Sequence, residues 1–184
     1  FLFKFFKKDS LKLVNVARLT DQKDHITLLK AVSLAQKFRK IQLVIVGGGV
    51  FEQRLLNYIN ENNLNHCVKL VGHQENPFKF ITKSDIFVLT SMFEGHPNVL
   101  VESLYLKKFI VSSDCPTGPR EILGNGKYGE LFKPGDFNQL AKILINYKLN
   151  KKNKKKIIDG QKTLKLYDQQ KNCYEYLKII KNYL

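Results

Sequence analysis

Ile41-Gln42-Leu43-Val44-Ile45-Val46 runs almost unbroken in aliphatic side chains and stops at Gly47-Gly48-Gly49. A strand that alternated would have one wet face. This one has none, so it belongs in a sheet covered on both sides. Shorter runs of the same kind recur along the chain. Leu11 to Val16 reads as a first strand, Val68 to Val71 as a third, Asp85 to Thr90 as a fourth, and Phe109 to Ser112 and Tyr128 to Phe132 as the last two. Helical patterns separate them. Asp24 suits the N-cap of a helix with Ile26, Leu28, Leu29, Val32 and Ala35 on its inner face. Another helix is expected from about Phe51 to Asn60, and a brief one after Pro77. From Asp136 onward the pattern is helix only, with a break at Gly160 between two tail helices. Strands alternating with helices predict an α/β fold, a doubly wound parallel sheet of about six strands with helices on both faces.

The composition is consistent with one such domain. At 184 residues, a single core buries ~70% of the unfolded surface. No apolar run approaches the ~20 residues of a membrane span. Cys67, Cys115 and Cys173 are odd in number and far apart, and neither they nor the four histidines show metal-ligand spacing; inert thiols in a reducing compartment are expected. The formal charge is +15, and most of that excess lies after residue 141, with Lys151, Lys152, Lys154, Lys155 and Lys156 clustered at its head. This tail reads as a solvated helix face, as a surface drawn to anionic membrane or, least well, as a nucleic-acid contact, for which it lacks interleaved aromatics and a recognition motif. The opening FLFKFFKKDS is too short for a signal peptide and has no small-residue cleavage site. It is expected to be a linker remnant over residues 1–10, with a membrane-touching segment as the alternative. Residues 11–150 then form the main domain and 151–184 the basic tail helices.

Ligands of open parallel sheets sit beyond the carboxyl ends of the strands, and the chemistry-bearing residues all follow strands. Glu94-Gly95-His96-Pro97-Asn98-Val99-Leu100-Val101-Glu102 places two carboxylates eight positions apart around the start of a helix. Pro97 is expected at the first helical position, leaving the amides of Asn98, Val99 and Leu100 unpaired at the positive end of the helix dipole, a seat for phosphate. Glu94 lies in the loop and Glu102 in the second turn, so both are expected to face one ligand. Arg18 and Lys23 follow the first strand. A guanidinium fork and a mobile ammonium five positions apart can converge on a diphosphate, although surface pairs of this kind are common. Gly47 and Gly48, in the glycine turn, are read equally as a tight turn or as a close backbone approach to a ligand, since neither G-x-G-x-x-G nor a P-loop is present. Gly72 follows the third strand. Asp114 to Ile122 forms a stiff Pro/Gly loop that opens a helix with Arg120 and Glu121 in its first turn.

In this order, ARLTDQKDH, LVIVGGG, VKLVGH, EGHPNVLVES and DCPTGPREIL resemble the C-terminal, donor-binding half of GT-B glycosyltransferases. The closest likeness is to the large retaining group with an E-x7-E signature, glycosyltransferase family 4. The likeness covers about residues 10 to 150. It implies a Rossmann-like domain that binds a nucleotide sugar, with UDP the first expectation from the DCPTGPREIL loop. Arg18 and Lys23 would grip the diphosphate, Glu94 would bind hydroxyls of the donor sugar without acting as a covalent nucleophile, and Glu102 would bind the ribose. The amides from Asn98 to Leu100 would assist at the helix start, and the VKLVGH region would offer backbone to the base. Such enzymes need no divalent metal and no cofactor, which agrees with the lack of a D-x-D motif. The implied activity is transfer of a hexose or N-acetylhexosamine, with retention, to a glycan or lipid-linked acceptor in lipopolysaccharide or cell-envelope polysaccharide assembly. The implied setting is cytoplasmic, with peripheral contact at the inner face of the membrane. The family has two Rossmann-like halves, so the acceptor-binding half is expected in the same gene or as a separate chain, and this domain alone is expected to bind donor but transfer poorly. The rival readings are a non-catalytic nucleotide-sugar-binding subunit and a GT-B epimerase or phosphorylase relative.

Overall fold

The computed structural model describes residues 5–181, so the ends of the expected linker and tail lie outside the described residues. Six strands form one sheet: β1 (Leu11–Val16), β2 (Ile41–Val46), β3 (Val68–Leu70), β4 (Ile86–Leu89), β5 (Phe109–Ser113) and β6 (Glu130–Phe132). Their spatial order is β3-β2-β1-β4-β5-β6, and every pairing is parallel. All carboxyl ends therefore lie on one edge of the sheet. The winding reverses between β1 and β4, which makes their junction the topological switch point.

Eight helices are described: α1 (His25–Ala35), α2 (Glu52–Glu61), α3 (Phe78–Lys83), α4 (Asn98–Tyr105), α5 (Pro119–Ile122), α6 (Phe137–Asn146), α7 (Lys151–Lys162) and α8 (Gln169–Lys181). The period-2 geometry of the strands divides the core into two layers. Leu13, Leu43, Ile45, Ile86, Val88 and Val111 pack on one face under α1, α2 and α6. Val14, Val44, Val46, Phe87, Leu89 and Ile110 pack on the other under α3, α4 and α5. This is the doubly wound sheet that the apolar strands predict. Helix α1 begins where Asp24 was expected to cap it, with the Asp24 carboxylate accepting from the Thr27 amide at 3.1 Å.

Gly160 does not break the tail. It lies inside α7 and is buried, where a Cβ would come within 2.7 Å of Leu104 Cδ2 and 3.1 Å of Tyr128 Cβ. The glycine is there for close packing of α7 on α4, a role its helix-weakening reputation conceals. The regular helix ends instead at Lys162, and a 3-10 turn over Thr163–Tyr167 leads to α8. No described helix is long and apolar enough to cross a membrane.

Candidate functional site at the sheet switch point

Two loops meet above the junction of β1 and β4. The loop after β1 carries Arg18 and Lys23, and the loop after β4 carries Glu94. Lys23 Nζ donates to Glu94 Oε1 at 2.6 Å across 71 residues of sequence, with side chains only 14% and 7% exposed. Ser91 Oγ donates to the same oxygen at 2.6 Å. Among the described residues, Glu94 Oε2 takes no such bond and is left as an open acceptor. An ammonium carries three donors, so Lys23 also keeps capacity for an anion. Arg18, on the same loop, is exposed and forms no ion pair with any described residue.

Several further contacts lock the two loops. Met92 N donates to Gln22 O, and Gln22 Nε2 to Phe93 O, both at 2.8 Å. Thr90 Oγ1 donates to Lys23 O at 2.9 Å. The loop after β5 closes on the same segment. Thr117 Oγ1 donates to Glu94 O, and Ser113 Oγ to Ser91 O at 2.6 Å. Gly118, at φ 79°, lies so close that a Cβ would stand 2.4 Å from Gly95 O and 2.6 Å from Pro97 Cδ. Within that loop Arg120 forks onto Asp114, one of its two bonds measuring 2.9 Å.

The glycine turn has a structural explanation. At Gly47, φ is 145° and a Cβ would fall 1.9 Å from Ala17 O; at Gly49 it would fall 2.5 Å from Leu19 O. The close approach is to the backbone on either side of Arg18, so these glycines seat the Arg18 loop. Gly48 sits between them, 3.8 Å in the same sense from His73 Cβ. Gly72 accepts from Gly47 N at 2.9 Å through its carbonyl, and around both Gly72 and Gly95 a Cβ would meet nothing within 4 Å.

The start of α4 differs from expectation in two respects. Pro97 is the N-cap, with ψ 91°, and Asn98 is the first helical residue. Leu100 N is also not open, because it donates to Pro97 O at 2.9 Å in a tight first turn. The amides that open the helix are therefore those of Asn98 and Val99. His96 Nδ1 lies 3.3 Å from Asn98 Oδ1, and its ring meets Tyr167 of the tail at 5.5 Å between centroids.

Glu102 lies one turn into α4, about 6 Å along the axis beyond Asn98 by the helical rise, and forms no hydrogen bond or ion pair with Lys23 or Glu94. It lines a cavity of about 400 Å³ with Phe78, Tyr105, Leu164 and Tyr167, and burial pushes its carboxyl above the usual range. Behind the crevice, His25 is 2% exposed, with Nε2 3.1 Å from Asn15 Oδ1 and no partner for Nδ1 among the described residues. Burial, with a smaller contribution from Lys23, lowers its pKa from 6.5 to about 4, so the ring is neutral. The structure thus joins Lys23 to Glu94, leaves Arg18 open on the same loop, and sets Glu102 apart along the helix. Sequence reasoning missed Ser91, whose signal was a hydroxyl three residues before Glu94 on the same loop. It singled out the stiff Asp114 to Ile122 loop that holds Thr117 and Gly118, but not their closure on Glu94 and Gly95.

Comparison with known proteins adds the lineage. Residues 3–163 match the family described as glycosyl transferases group 1. An uncharacterised glycosyltransferase of Methanocaldococcus jannaschii is 40% identical over 141 residues, 69% of this chain and 35% of that protein. The Campylobacter jejuni N-acetylgalactosamine-N,N'-diacetylbacillosaminyl-diphospho-undecaprenol 4-alpha-N-acetylgalactosaminyltransferase is 34% identical over 172 residues, 91% of this chain and 46% of that protein. The chain thus spans between a third and a half of the length of these curated relatives. Among solved structures, Anabaena HepE in complex with UDP and glucose has a TM-score of 0.82 at 20% identity, covering 96% of this chain and 49% of its own. A point mutant of S. aureus TarM in complex with UDP, fondaparinux and alpha-GlcNAc-glycerol has a TM-score of 0.84 at 20% identity, over 91% of this chain and 35% of its own.

Proposed function

The chain belongs to the group 1 glycosyl transferases and has the Rossmann-like fold of a GT-B C-terminal half, and we propose that it is the donor-binding domain of a retaining, metal-independent enzyme of family 4, the E-x7-E group. The donor is a UDP-linked hexose or N-acetylhexosamine, and the acceptor a glycan or lipid-linked saccharide of the cell envelope. A second Rossmann-like half, in the same gene or in a partner chain, supplies the acceptor site. The protein works in the cytoplasm, in peripheral contact with the inner face of the membrane.

The observation that carries this reading is the Lys23–Glu94 pair at the switch point, with one carboxylate oxygen held by Lys23 and Ser91 and the other open. With Oε1 held in this way, Oε2 is positioned to accept a hydrogen bond from a sugar hydroxyl without reorganising. Arg18 and the remaining Lys23 donors take the diphosphate, whose charge grows as its bond to the sugar breaks. The Asn98 and Val99 amides add the positive end of α4. Fixed cations in that position do the work a divalent metal does elsewhere, and each such contact contributes about 3 kcal/mol to transition-state stabilisation. Glu102 holds the ribose, and the strand-end backbone at Gly72 offers carbonyl and amide groups to the base. Support for UDP comes from HepE and TarM, both of which were solved with it.

The test is calorimetry with UDP, GDP and ADP on the domain. UDP is expected to bind best, Arg18→Ala to abolish diphosphate recognition, and Glu102→Ala to weaken all three nucleotides. Absence of binding by every nucleotide, or an unchanged affinity in Glu102→Ala, rejects the pocket.

A further inference from the structure

We propose that the edge of the sheet opposite the crevice, together with the outward face of α7, is a docking surface for anionic phospholipid. This deepens the peripheral membrane contact proposed above and rests on that part of the reading, not on the donor site. A groove of about 580 Å³ opens at the amino ends of β1, β4 and β5, lined by Lys8, Lys107 and Lys148. Ile157 of α7 forms part of its wall. Lys154, one turn before Ile157, leads from that wall onto the exposed face of the helix, where Lys151, Lys155 and Ile158 follow at i, i+4, i+7 spacing. The first turn of α7 is fastened to the groove by Asn153, whose side-chain amide donates to Lys148 O at 2.9 Å.

Most of the neighbouring carboxylates are paired, so a basic surplus remains. Asp9 pairs with Lys40 and Asp159 with Lys162 at 3.0 Å; Asp85, which lines the groove and accepts from the Lys12 amide at 2.9 Å, keeps its charge near Lys108. Arg39 and Lys108 are spent on backbone carbonyls. The six lysines Lys8, Lys107, Lys148, Lys151, Lys154 and Lys155 form no ion pair with any described residue. Between them stand Leu149 and Ile158, 59% and 55% exposed. Aliphatic side chains among long basic ones suit a bilayer surface, where stems lie against the headgroup boundary and ammonium groups reach lipid phosphates. A nucleic-acid groove would instead interleave aromatic rings for stacking.

The test is co-sedimentation with phosphatidylcholine vesicles, with and without an equal part of phosphatidylglycerol. Binding is expected only to the anionic vesicles and is expected to fall with added salt. Each lysine near the surface contributes about fivefold, so the triple variant Lys151→Gln, Lys154→Gln, Lys155→Gln should lose roughly a hundredfold in partitioning. The control Lys165→Gln, Lys171→Gln, in the 3-10 turn and α8 and not among the groove lining, should lose little. UDP affinity measured in parallel should be unchanged in the triple variant, because the patch lies opposite the crevice; this checks folding and keeps a failure here distinct from a failure of the donor reading. Equal binding to neutral vesicles, an undiminished triple variant, a control that loses as much, or equal retention by an RNA oligonucleotide that displaces the vesicles each overturns the proposal.

Discussion

Acidification should destabilise this domain through one residue. His25 is buried, its pKa is lowered from 6.5 to about 4, and it has no acceptor at Nδ1 among the described residues. The Nε2 proton is committed to Asn15 Oδ1 at 3.1 Å, and Asn15 Nδ2 is in turn committed to Val88 O at 2.9 Å. A second proton on the ring would therefore be charged, dry and unpaired, with the Lys23 ammonium nearby. The unfolded chain binds that proton near pH 6.5 and the native state only near pH 4. Between those values the unfolded state holds more protons, so stability rises with pH and is lost on acidification. The full shift corresponds to about 3 kcal/mol, of which about 2 kcal/mol is lost between about pH 7 and about pH 5. Glu102 acts with the opposite sign, since burial raises its carboxyl and native protonation then favours the fold as pH falls. The informative quantity is therefore the difference between wild type and His25→Gln, whose amide can still donate to Asn15. Urea unfolding at a series of pH values should show a wild-type slope that the variant lacks. Identical slopes, or an NMR titration placing His25 near 6.5, would refute the reasoning.

Two further outcomes test the packing around the site. Lys23→Ala leaves the Glu94 carboxylate, 7% exposed, without its counter-charge, so it should cost about 3 kcal/mol of stability by urea unfolding, with much of that recovered in Lys23→Met, Glu94→Gln. A single variant within about 0.5 kcal/mol of wild type would mean the pair is solvated and weak. Gly160→Leu forces a side chain into the 2.7 Å space against Leu104 and should lower stability by about 2 kcal/mol despite the better helix former; a rise in thermal midpoint would show that α7 is free to move off α4.

The sheet was legible because its information is local and repeated. An apolar run such as Ile41–Val46 states its own burial, and six of them separated by helices leave few topologies open. Asp24 was legible for the same reason, as a cap declares itself three residues from its amide. Gly160 was misread because a glycine's local signal is helix-weakening, while its actual constraint, a Cβ space filled by Leu104 and Tyr128, lies 56 and 32 residues away in sequence. Pro97 was misplaced by one position, an error within the reach of any reading that lacks backbone angles. In the site, Glu94 and Lys23 were each named as candidates, yet no pattern showed that they touch. That contact depends on the strand order, in which β1 lies beside β4.

This contact also changes how the two glutamates relate. A carboxylate bound only to solvent would have to be desolvated and oriented by the donor itself, at the expense of binding energy. Here Lys23 and Ser91 have already fixed one oxygen of Glu94, and the loop that carries it is held by Thr117 and by the close approach of Gly118. Glu102 has no such scaffold and sits in an apolar cavity that penalises its charge. Glu94 is therefore organised without any ligand, while the Glu102 carboxylate has no fixed partner among the described residues. If both grip one donor, rigidity is concentrated at the end where the bond breaks, and adaptability is left to the nucleoside end, where no chemistry occurs.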